Sequence, residues 1–389
     1  MTGTRTTAGA PPDIPTGRSR SRRVRGRPLL YTSYAQDMAL LDTPAKKVST
    51  GLLVLLAFAL AVLLQDRSLE VLAGAYVLAI GAIGLNIVTG YAGQVSLGHA
   101  FFVAIGAYTA AAVSGPVDGE NIGYGVAELW IWLPAAGLVA AAAGVLIAPL
   151  ASRLRGLYLA VVTLGLVFLG EHIFKEWQEL TGGPGVGREA AIPQLFGVRL
   201  DQDGPLGTKE QLLYTLMLTL LVVFAVAARN LARSRIGRAF AAIRDRDIAA
   251  AVIGVPLTRY KVLAFGISSF YAGCAGGLLF TISGYVEPSS FNLLLSVQFI
   301  AMVLIGGVAT VSGAIAGALF ISLLQPVTRS LPALVPFISG DTTQTPNVFQ
   351  VETVLYGLLI VLFLIFEPRG LFGLWIRVRN YWKSWPFSY

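Results

Sequence analysis

The chain has 389 residues, of which 55% are hydrophobic and only 13% are charged, and its mean hydropathy is +0.69. This composition excludes a soluble globular protein and indicates an integral membrane protein. The formal net charge of +8 comes mainly from basic residues outside the apolar runs. It therefore indicates membrane topology, with a minor contribution from attraction to lipid headgroups, and does not indicate nucleic-acid binding.

The first thirty residues are rich in arginine, proline, glycine, serine and threonine and have no apolar face. We expect residues 1–47 to form a largely disordered cytosolic tail, of which a segment can lie on the membrane interface. No signal peptide is expected, because the first apolar run starts near Val48 and no small-residue cleavage site follows it. An organellar transit peptide, which is also rich in arginine and poor in acidic residues, is the alternative.

Ten apolar runs are each long enough to cross about 30 Å of hydrocarbon, which takes roughly 17 to 25 helical residues. Their apolar residues do not alternate with polar ones, so a closed β-barrel is not expected. The sequence therefore predicts an all-α integral membrane protein, a polytopic helical bundle with its transmembrane domain at 48–366. The predicted spans are 48–64, 71–89, 97–115, 129–150, 156–174, 211–228, 262–283, 290–308, 312–328 and 351–366.

Basic residues near the ends of the spans indicate which loops stay in the cytosol, because Lys and Arg resist translocation. Placing both termini in the cytosol puts most of the 29 Lys and Arg residues on that side, whereas the acidic residues concentrate on the other. The C-terminal tail 367–389 is then basic and cytosolic, and so is the loop 229–261. The external loops are 116–128, 175–210 and 329–350.

The cytosolic loop 229–261 contains the most regular charged segment of the chain. Ile236, Phe240 and Ile243 recur at helical spacing, arginines and aspartates flank them, and Gly254 predicts the end of the helix. This pattern predicts a surface helix to which a cytosolic partner can bind. The alternative is a solvated basic loop that only follows the positive-inside rule.

Charged residues are missing from the middle of the predicted spans. Because an intramembrane Asp, Glu, Lys or Arg marks most proton and ion relays, a secondary carrier is disfavoured. The chain also lacks a Gly-x-x-x-x-Gly-Lys-Ser/Thr loop, so any ATP that drives transport must bind another chain.

Neither a metal site nor a disulfide is expected. His99 has no second histidine, cysteine or carboxylate at ligand spacing, and the single cysteine, Cys274, can form no disulfide within the chain.

Two glycine-rich polar stretches interrupt the apolar background. They are Gly90-Tyr-Ala-Gly-Gln-Val-Ser-Leu-Gly-His99 and Gly306-Gly-Val-Ala-Thr-Val-Ser-Gly313. Broken backbone at membrane depth is tolerated where it is buried in protein or lines a watery cavity, and paired breaks of this kind indicate a transport pathway. The alternative is that both stretches are tight turns in which small residues let helices pack closely.

The segment Gly84-Leu-Asn-Ile-Val-Thr-Gly-Tyr-Ala-Gly-Gln-Val-Ser-Leu-Gly-His-Ala-Phe-Phe-Val-Ala-Ile-Gly-Ala-Tyr-Thr109 resembles the branched-chain amino acid ABC transporter permease family. The resemblance covers roughly residues 34–375. It continues in the same order through 154–164, Leu180-Thr-Gly-Gly-Pro-Gly185, 238–254, 306–317 and Glu367-Pro-Arg-Gly-Leu371. The long N-terminal region and the Thr-Gly-Gly loop are more similar to the M-type than to the H-type subunit.

This resemblance implies a permease subunit of the bacterial inner membrane, which is not an enzyme and itself binds no cofactor. The implied partners are a second homologous permease subunit, two cytosolic ATPase subunits that bind ATP and Mg²⁺, and a periplasmic solute-binding protein. The positions that match the family's ATPase-coupling motif are Arg238, Arg244, Asp245, Asp247, Ala250 and Gly254.

The residues expected along the translocation pathway are neutral polar side chains and glycines: Asn86, Thr89, Gly93, Gln94, Ser96, Gly98, His99, Tyr108, Thr163, Gly306, Gly307 and Ser312. A lining without fixed charge suits a neutral or zwitterionic solute, and the resemblance implies branched-chain or other neutral amino acids. Urea and short amides, carried by permeases of the same family, are the alternative substrates. A stand-alone secondary carrier or channel and a membrane-embedded enzyme are the alternatives from other classes.

Overall fold

The computed structural model describes residues 44–117, 121–154, 156–204, 207–329, 347–367 and 369–384. The predicted tail 1–47 and the predicted external loop 329–350 lie largely outside the described residues. The described part is mostly helical, in agreement with the predicted helical bundle.

The described part consists of long apolar helices joined by loops and by a few short helices. In chain order they are α1 (Pro44–Leu63), α2 (Asp66–Leu85), a π-helix (Asn86–Tyr91), α3 (His99–Ser114), α4 (Leu129–Arg153), α5 (Leu157–Glu176), α6 (Gln178–Thr181), α7 (Lys209–Arg233), α8 (Arg235–Asp245), α9 (Asp247–Val252), α10 (Leu257–Ser283), a 3₁₀-helix (Pro288–Phe291), α11 (Leu293–Gly306), α12 (Val311–Arg329), α13 (Val348–Phe366) and α14 (Gly370–Ser384).

Each of the ten predicted spans coincides with a helix, but fewer of these helices are long and apolar enough to cross a membrane alone. In the described part there are six such helices, or seven if the bent pair Gln350–Phe366 and Gly370–Trp382 forms one span. Val48–Leu63, His99–Ser114 and Leu293–Gly306 are apolar but shorter. The 16 residues of α3, for example, extend only about 24 Å, because the polar stretch before it is not helical.

Short strands on one end of the bundle show that the fold is not purely helical. β1 (Arg188–Glu189) pairs antiparallel with β4 (Tyr285–Val286), and β2 (Gln194–Leu195) pairs antiparallel with β3 (Val198–Arg199). The expectation of an all-α protein missed these strands, because two residues are too few to produce an alternating pattern in the sequence.

The helix α10 lies at the centre of the bundle and packs against α2, α3 and α4. Its contact with α3 is very close, since a Cβ atom at Gly106 would lie 2.1 Å from the carbonyl oxygen of Gly273. Membrane helices associate through such close packing, because lipid is as apolar as the helix faces. Around this centre, α2 also packs against α7 and α12, and α11 packs against α12 and α13.

The helix α1 is joined to the bundle by hydroxyl groups. The Tyr214 hydroxyl on α7 donates to the carbonyl oxygen of Ala57 on α1 at 2.7 Å, and it lies 3.0 Å from the hydroxyl of Tyr76 on α2. Tyr214 and Tyr76 are both buried. One buried side chain therefore connects three helices, whereas most of the apolar surface of α1 remains exposed.

We expect Gly106→Ala to destabilise the bundle and Gly165→Ala to leave its stability unchanged or slightly raised. The added methyl at Gly106 would overlap the backbone of α10, whereas nothing lies within 4 Å of a Cβ at Gly165. Overpacking of this kind costs about 1–3 kcal/mol, and an open helical position gains helix propensity. Thermal unfolding of the two variants in detergent measures the difference, and equal melting temperatures would contradict the close packing of α3 on α10.

Candidate functional site

The coupling segment, defined as residues 235–252, consists of α8 and α9. The Ser234 hydroxyl caps α8 by accepting hydrogen bonds from the backbone N–H groups of Ile236 and Gly237, at 3.1 and 3.3 Å. Phe240 and Ile243 face the bundle and are buried. The predicted surface helix is thus present, but it is divided in two at Arg246, whose extended backbone separates α8 from α9.

The six predicted coupling residues occupy different environments. Arg238, Arg244, Asp245 and Gly254 are exposed, Asp247 is half-buried at the start of α9, and Ala250 is buried. Ala250 therefore holds α9 on the bundle and does not present its side chain at the surface.

An apolar surface on α9 was not predicted from the sequence. Ile248, Val252 and Ile253 are 68%, 82% and 75% exposed. Ile248 and Val252, four residues apart, lie on one side of α9, and Ile253 follows directly after the end of the helix. The four-residue spacing of Ile248 and Val252 was the only signal in the sequence, and the charged residues 244–247 directly before them predict a polar surface. We call these three residues the apolar tip.

Arg244 connects the coupling segment to the first glycine-rich stretch. Its Nη1 donates to the carbonyl oxygen of Gly90 at 3.3 Å, while Nε and Nη2 donate to Asp245 Oδ1 at 3.1 and 3.0 Å. Gly93 has φ +68°, and a Cβ there would lie 2.8 Å from Cγ of Arg244. A side chain at Gly93 would thus be strained and would also push α8 away.

Asn86, at the start of the π-helix that leads into the first glycine-rich stretch, bonds to the second stretch across 224 residues of sequence. Its Nδ2 donates to the carbonyl oxygen of Thr310 at 2.9 Å, and its Oδ1 accepts from the backbone N–H of Ala309 at 2.8 Å. Asn86 is 1% exposed and begins the π-helix, and Ala309 has the unusual φ of +60°. The carboxamide therefore satisfies one donor and one acceptor of backbone that is not helical.

Other predicted pathway residues hold the same region together. The Thr89 hydroxyl donates to the carbonyl oxygen of Gln94 at 3.2 Å, and Ser96 Oγ accepts from the backbone N–H of Gly98 at 3.4 Å. Thr163 Oγ1 accepts from the backbone N–H of Leu97 at 2.9 Å. These hydroxyl groups are engaged with backbone and stabilise the break between the π-helix and α3.

His99 and the glycines of both stretches also pack closely. Nε2 of His99 lies 2.9 Å from the carbonyl oxygen of Gly81, and its ring packs edge-on against Phe299. Gly98, Gly306 and Gly307 are buried, whereas Ser312 is exposed. A Cβ at Gly306 would lie 2.0 Å from the carbonyl oxygen of Gly313, so this glycine permits the sharp return from α11 to α12.

Two predicted pathway residues have polar atoms without a hydrogen-bond partner among the described residues. They are Gln94, with both atoms of its amide, and Tyr108, with its hydroxyl. Gln94 is 5% exposed, and Tyr108 lies between the rings of Phe174 and Phe291. Buried polar groups in this state are uncommon and require a partner such as water or a ligand. Of the predicted pathway residues, these two have side chains best suited to contact a solute.

Arg188 organises the opposite end of the bundle and was not predicted. Although it is only 5% exposed, it donates to the carbonyl oxygens of Leu180 at 2.8 Å, Ala111 at 2.8 Å and Ile122 at 3.1 Å. Burial lowers the pKa of Arg188 from its usual value. A cation that bonds to three separate segments fixes this end of the bundle, and the surrounding glycine-rich sequence was the only signal for it.

Long apolar helices, joined at one end by two glycine-rich non-helical connections and packed against an amphipathic surface segment, are typical of a multi-pass membrane protein of the transporter type. The chain belongs to the family described as branched-chain amino acid transport system / permease component, which matches residues 68–366. This finding confirms the resemblance found in the sequence.

Individual relatives agree with this assignment. The chain is 32% identical over 346 residues to the high-affinity branched-chain amino acid transport system permease protein LivM of Salmonella typhimurium, covering 85% of this chain and 76% of the relative. It is 31% identical to LivM of Escherichia coli over the same shares, which confirms the predicted similarity to the M-type subunit. It is 27% identical to the autoinducer 2 import system permease protein LsrC of Enterobacter sp., covering 72% and 69%. No solved structure matches the chain significantly.

We expect Asn86→Asp to destabilise the protein and Asn292→Asp to be nearly neutral. An aspartate at 86 loses the donor to Thr310 and places a negative charge beside that carbonyl oxygen, which costs about 1–3 kcal/mol. At 292 the side chain caps α11 through Oδ1, and aspartate keeps this acceptor and favours the helix dipole. Aspartate also loses the bond from Nδ2 to the carbonyl oxygen of Ser289 at 3.1 Å, but that bond is exposed and water can replace it. Chemical or thermal unfolding in detergent compares the pair. An unchanged stability of Asn86→Asp would show that the carboxamide does not hold the two stretches together.

A second pair of variants tests the role of Arg188. Arg188→Ala leaves three buried carbonyl oxygens without their donor, so we expect a loss of more than about 2 kcal/mol. Arg199→Ala removes an exposed ion pair with Asp201, which is worth at most about 1 kcal/mol. Limited proteolysis and thermal unfolding report both effects. A loss at Arg199 equal to that at Arg188 would contradict the assignment of Arg188 as the organising residue.

Proposed function

We propose that the chain is the membrane-spanning permease subunit of an ATP-driven ABC importer for branched-chain or other neutral amino acids. The family and the names of the LivM relatives support this assignment. The observation that carries the mechanism is the bond between the coupling segment and the membrane helices. Arg244, on the surface helix α8, donates to the carbonyl oxygen of Gly90 in the π-helix that follows α2. The chain itself carries out no catalysis in this proposal.

The proposed topology places both termini and the coupling segment in the cytosol, with ten spans in the bacterial inner membrane. The two glycine-rich stretches, the coupling segment and the start of α14 are at one end of the bundle, since Arg244 and Asn86 join them directly and Gly370 approaches Gly307. This end carries Arg235, Arg238 and Arg246, as the positive-inside rule expects of a cytosolic surface.

The partners in this proposal are a second homologous permease subunit, two cytosolic ATPase subunits and a periplasmic solute-binding protein. ATP and Mg²⁺ bind to the ATPase subunits, because this sequence has no phosphate-binding loop. The apolar tip on α9 is the part of the coupling segment best suited to enter a groove of an ATPase, since it offers apolar side chains that are largely exposed.

A few direct contacts connect the coupling segment to the membrane-spanning helices, so movement of this segment can be passed on to them. α8 contacts Gly90 and Gly93 through Arg244, the π-helix that contains Gly90 begins at Asn86, and Asn86 bonds to the backbone between α11 and α12. A displacement of α8 by a closing ATPase can therefore be carried to two separate pairs of spans as a rigid-body shift.

Two buried polar side chains without partners among the described residues suit neutral solutes, one before α3 and one within it. Gln94 offers an amide and Tyr108 a hydroxyl, and neither residue carries a charge. A zwitterionic amino acid forms hydrogen bonds with such groups, and its apolar side chain suits the apolar surroundings. The amide of Gln94 is equally suited to urea or a short amide, which makes this class the second candidate substrate.

We expect Ile248→Asp combined with Val252→Asp to abolish copurification with the ATPase subunits and ATP-dependent uptake into proteoliposomes. Loss of a buried apolar contact at an interface costs about 2 kcal/mol or more, which weakens binding roughly thirtyfold or more. The control is Val198→Asp, an exposed apolar residue of β3 at the other end of the bundle, which should leave both measurements unchanged.

Two outcomes of this experiment would contradict the proposal. Normal ATPase binding by the double variant would remove the apolar tip from the interface. Uptake by the wild-type chain that needs an ion gradient and no ATP would instead identify a secondary carrier. Competition of labelled leucine uptake by urea and short amides separates the two candidate substrate classes.

A further inference from the structure

The helix α14 (Gly370–Ser384) follows α13 after a bend of 43°, and its first turn rests on the end of α11. Gly370 has φ +63°, and a Cβ there would lie 2.5 Å from the carbonyl oxygen of Ile305 and 2.7 Å from the backbone nitrogen of Gly307. This close approach fixes the position of the helix start at the end of the bundle that carries the coupling segment.

An ion pair holds the bend between α13 and α14. Glu367 is 8% exposed, and its Oε2 lies 2.6 Å from Nη2 of Arg377, about two turns into α14. Because the pair joins the residue before the bend to the middle of the next helix, it restricts the direction in which α14 leaves the bundle.

Beyond its first turn, α14 carries an apolar face that the described part of the chain leaves exposed. The residues of this face recur at the spacing i, i+1, i+4, i+7 and i+8, which is one side of a helix. They are Leu374, Trp375, Val378, Tyr381 and Trp382, with exposed fractions of 38%, 61%, 50%, 63% and 74%.

Basic residues border this face. At about 100° per residue, Arg377 and Arg379 fall on its two edges, and both are exposed. The sequence of α14 also contains Lys383 and no acidic residue. An apolar face rich in Trp and Tyr, with arginines on both borders, is the composition of helices that lie in the plane of a membrane interface.

The position of α14 favours lipid over a protein partner for this face. The preceding helix α13 is apolar and exposed along Val354, Leu358 and Val361, so lipid contact extends along it to the bend. A helix that starts at that level is already at the membrane surface, and its exposed aromatic side chains match the headgroup region.

We propose that α14 lies in the membrane interface, with its apolar face in the acyl boundary and Arg377 and Arg379 on anionic lipid headgroups. The face then reaches about 5–10 Å below the headgroups. Lipid negative charge adds attraction for each basic residue near the surface. This placement is independent of the proposed transport function, because it requires neither ATPase subunits nor a solute.

Site-directed spin labelling tests the placement in the purified full chain reconstituted into lipid nanodiscs. A Cys274→Ala background removes the single native cysteine, and Val378→Cys and Asn380→Cys place labels on opposite sides of α14. We expect the label at 378 to be several-fold more accessible to oxygen than to a water-soluble nickel complex, and the label at 380 to show the reverse. The nanodiscs contain phosphatidylcholine with or without phosphatidylglycerol.

The anionic lipid is expected to increase the depth of the label at 378, and Arg379→Glu is expected to remove this increase. Arg199→Glu, a charge reversal outside α14, serves as the matched control and should leave the depth unchanged. Equal depth with and without phosphatidylglycerol would overturn the assignment of anionic headgroups as the binding partner.

Three patterns would overturn the interfacial placement itself. Nickel access to both labels would mean that α14 extends into water, and oxygen access to both would mean that it continues through the membrane as part of a broken span. A label at 378 shielded from both reagents would mean that protein covers the apolar face.

Discussion

The hydrogen bonds of the Asn86 side chain are the interaction on which the remaining architecture depends. The chain leaves regular helix between α2 and α3 and again between α11 and α12, and backbone that leaves a helix in an apolar environment must find partners nearby. The Asn86 carboxamide supplies an acceptor to Ala309 and a donor to Thr310, so it joins the first connection to the second. Because the same π-helix also contacts Arg244, the coupling segment and both connections form one connected unit.

The parts of the fold that could be predicted from the sequence are those with strong local signals. Long apolar runs located the helices, and the period of Ile236, Phe240 and Ile243 located the coupling segment. The shorter lengths of α3 and α11 could not be predicted, because a polar stretch inside an apolar run does not show where the helix ends. The structural role of Arg188 could not be predicted either, since its three carbonyl partners belong to segments that only the folded chain brings together.

The structure places the predicted pathway residues among neighbours that the sequence does not reveal. The glycine-rich stretches do meet, but Thr89, Ser96 and Thr163 bond to backbone. A polar side chain within an apolar span can serve either the backbone or a solute, and the choice depends on neighbours far away in sequence. The exposure of Ile248 and Val252 was not predicted, because exposure of an apolar side chain is a property of the folded surface.

The bond from Tyr214 to Ala57 has a consequence for biosynthesis. Helix α1 emerges from the ribosome long before α7, and its most specific anchor lies 157 residues further along the chain. During synthesis α1 therefore lacks this hydrogen bond until α7 has been inserted, and its exposed apolar surface contacts lipid in the meantime. The hydroxyl of Tyr214 thus fixes α1 only after α2 to α6 have been synthesised, and before the central helix α10 follows.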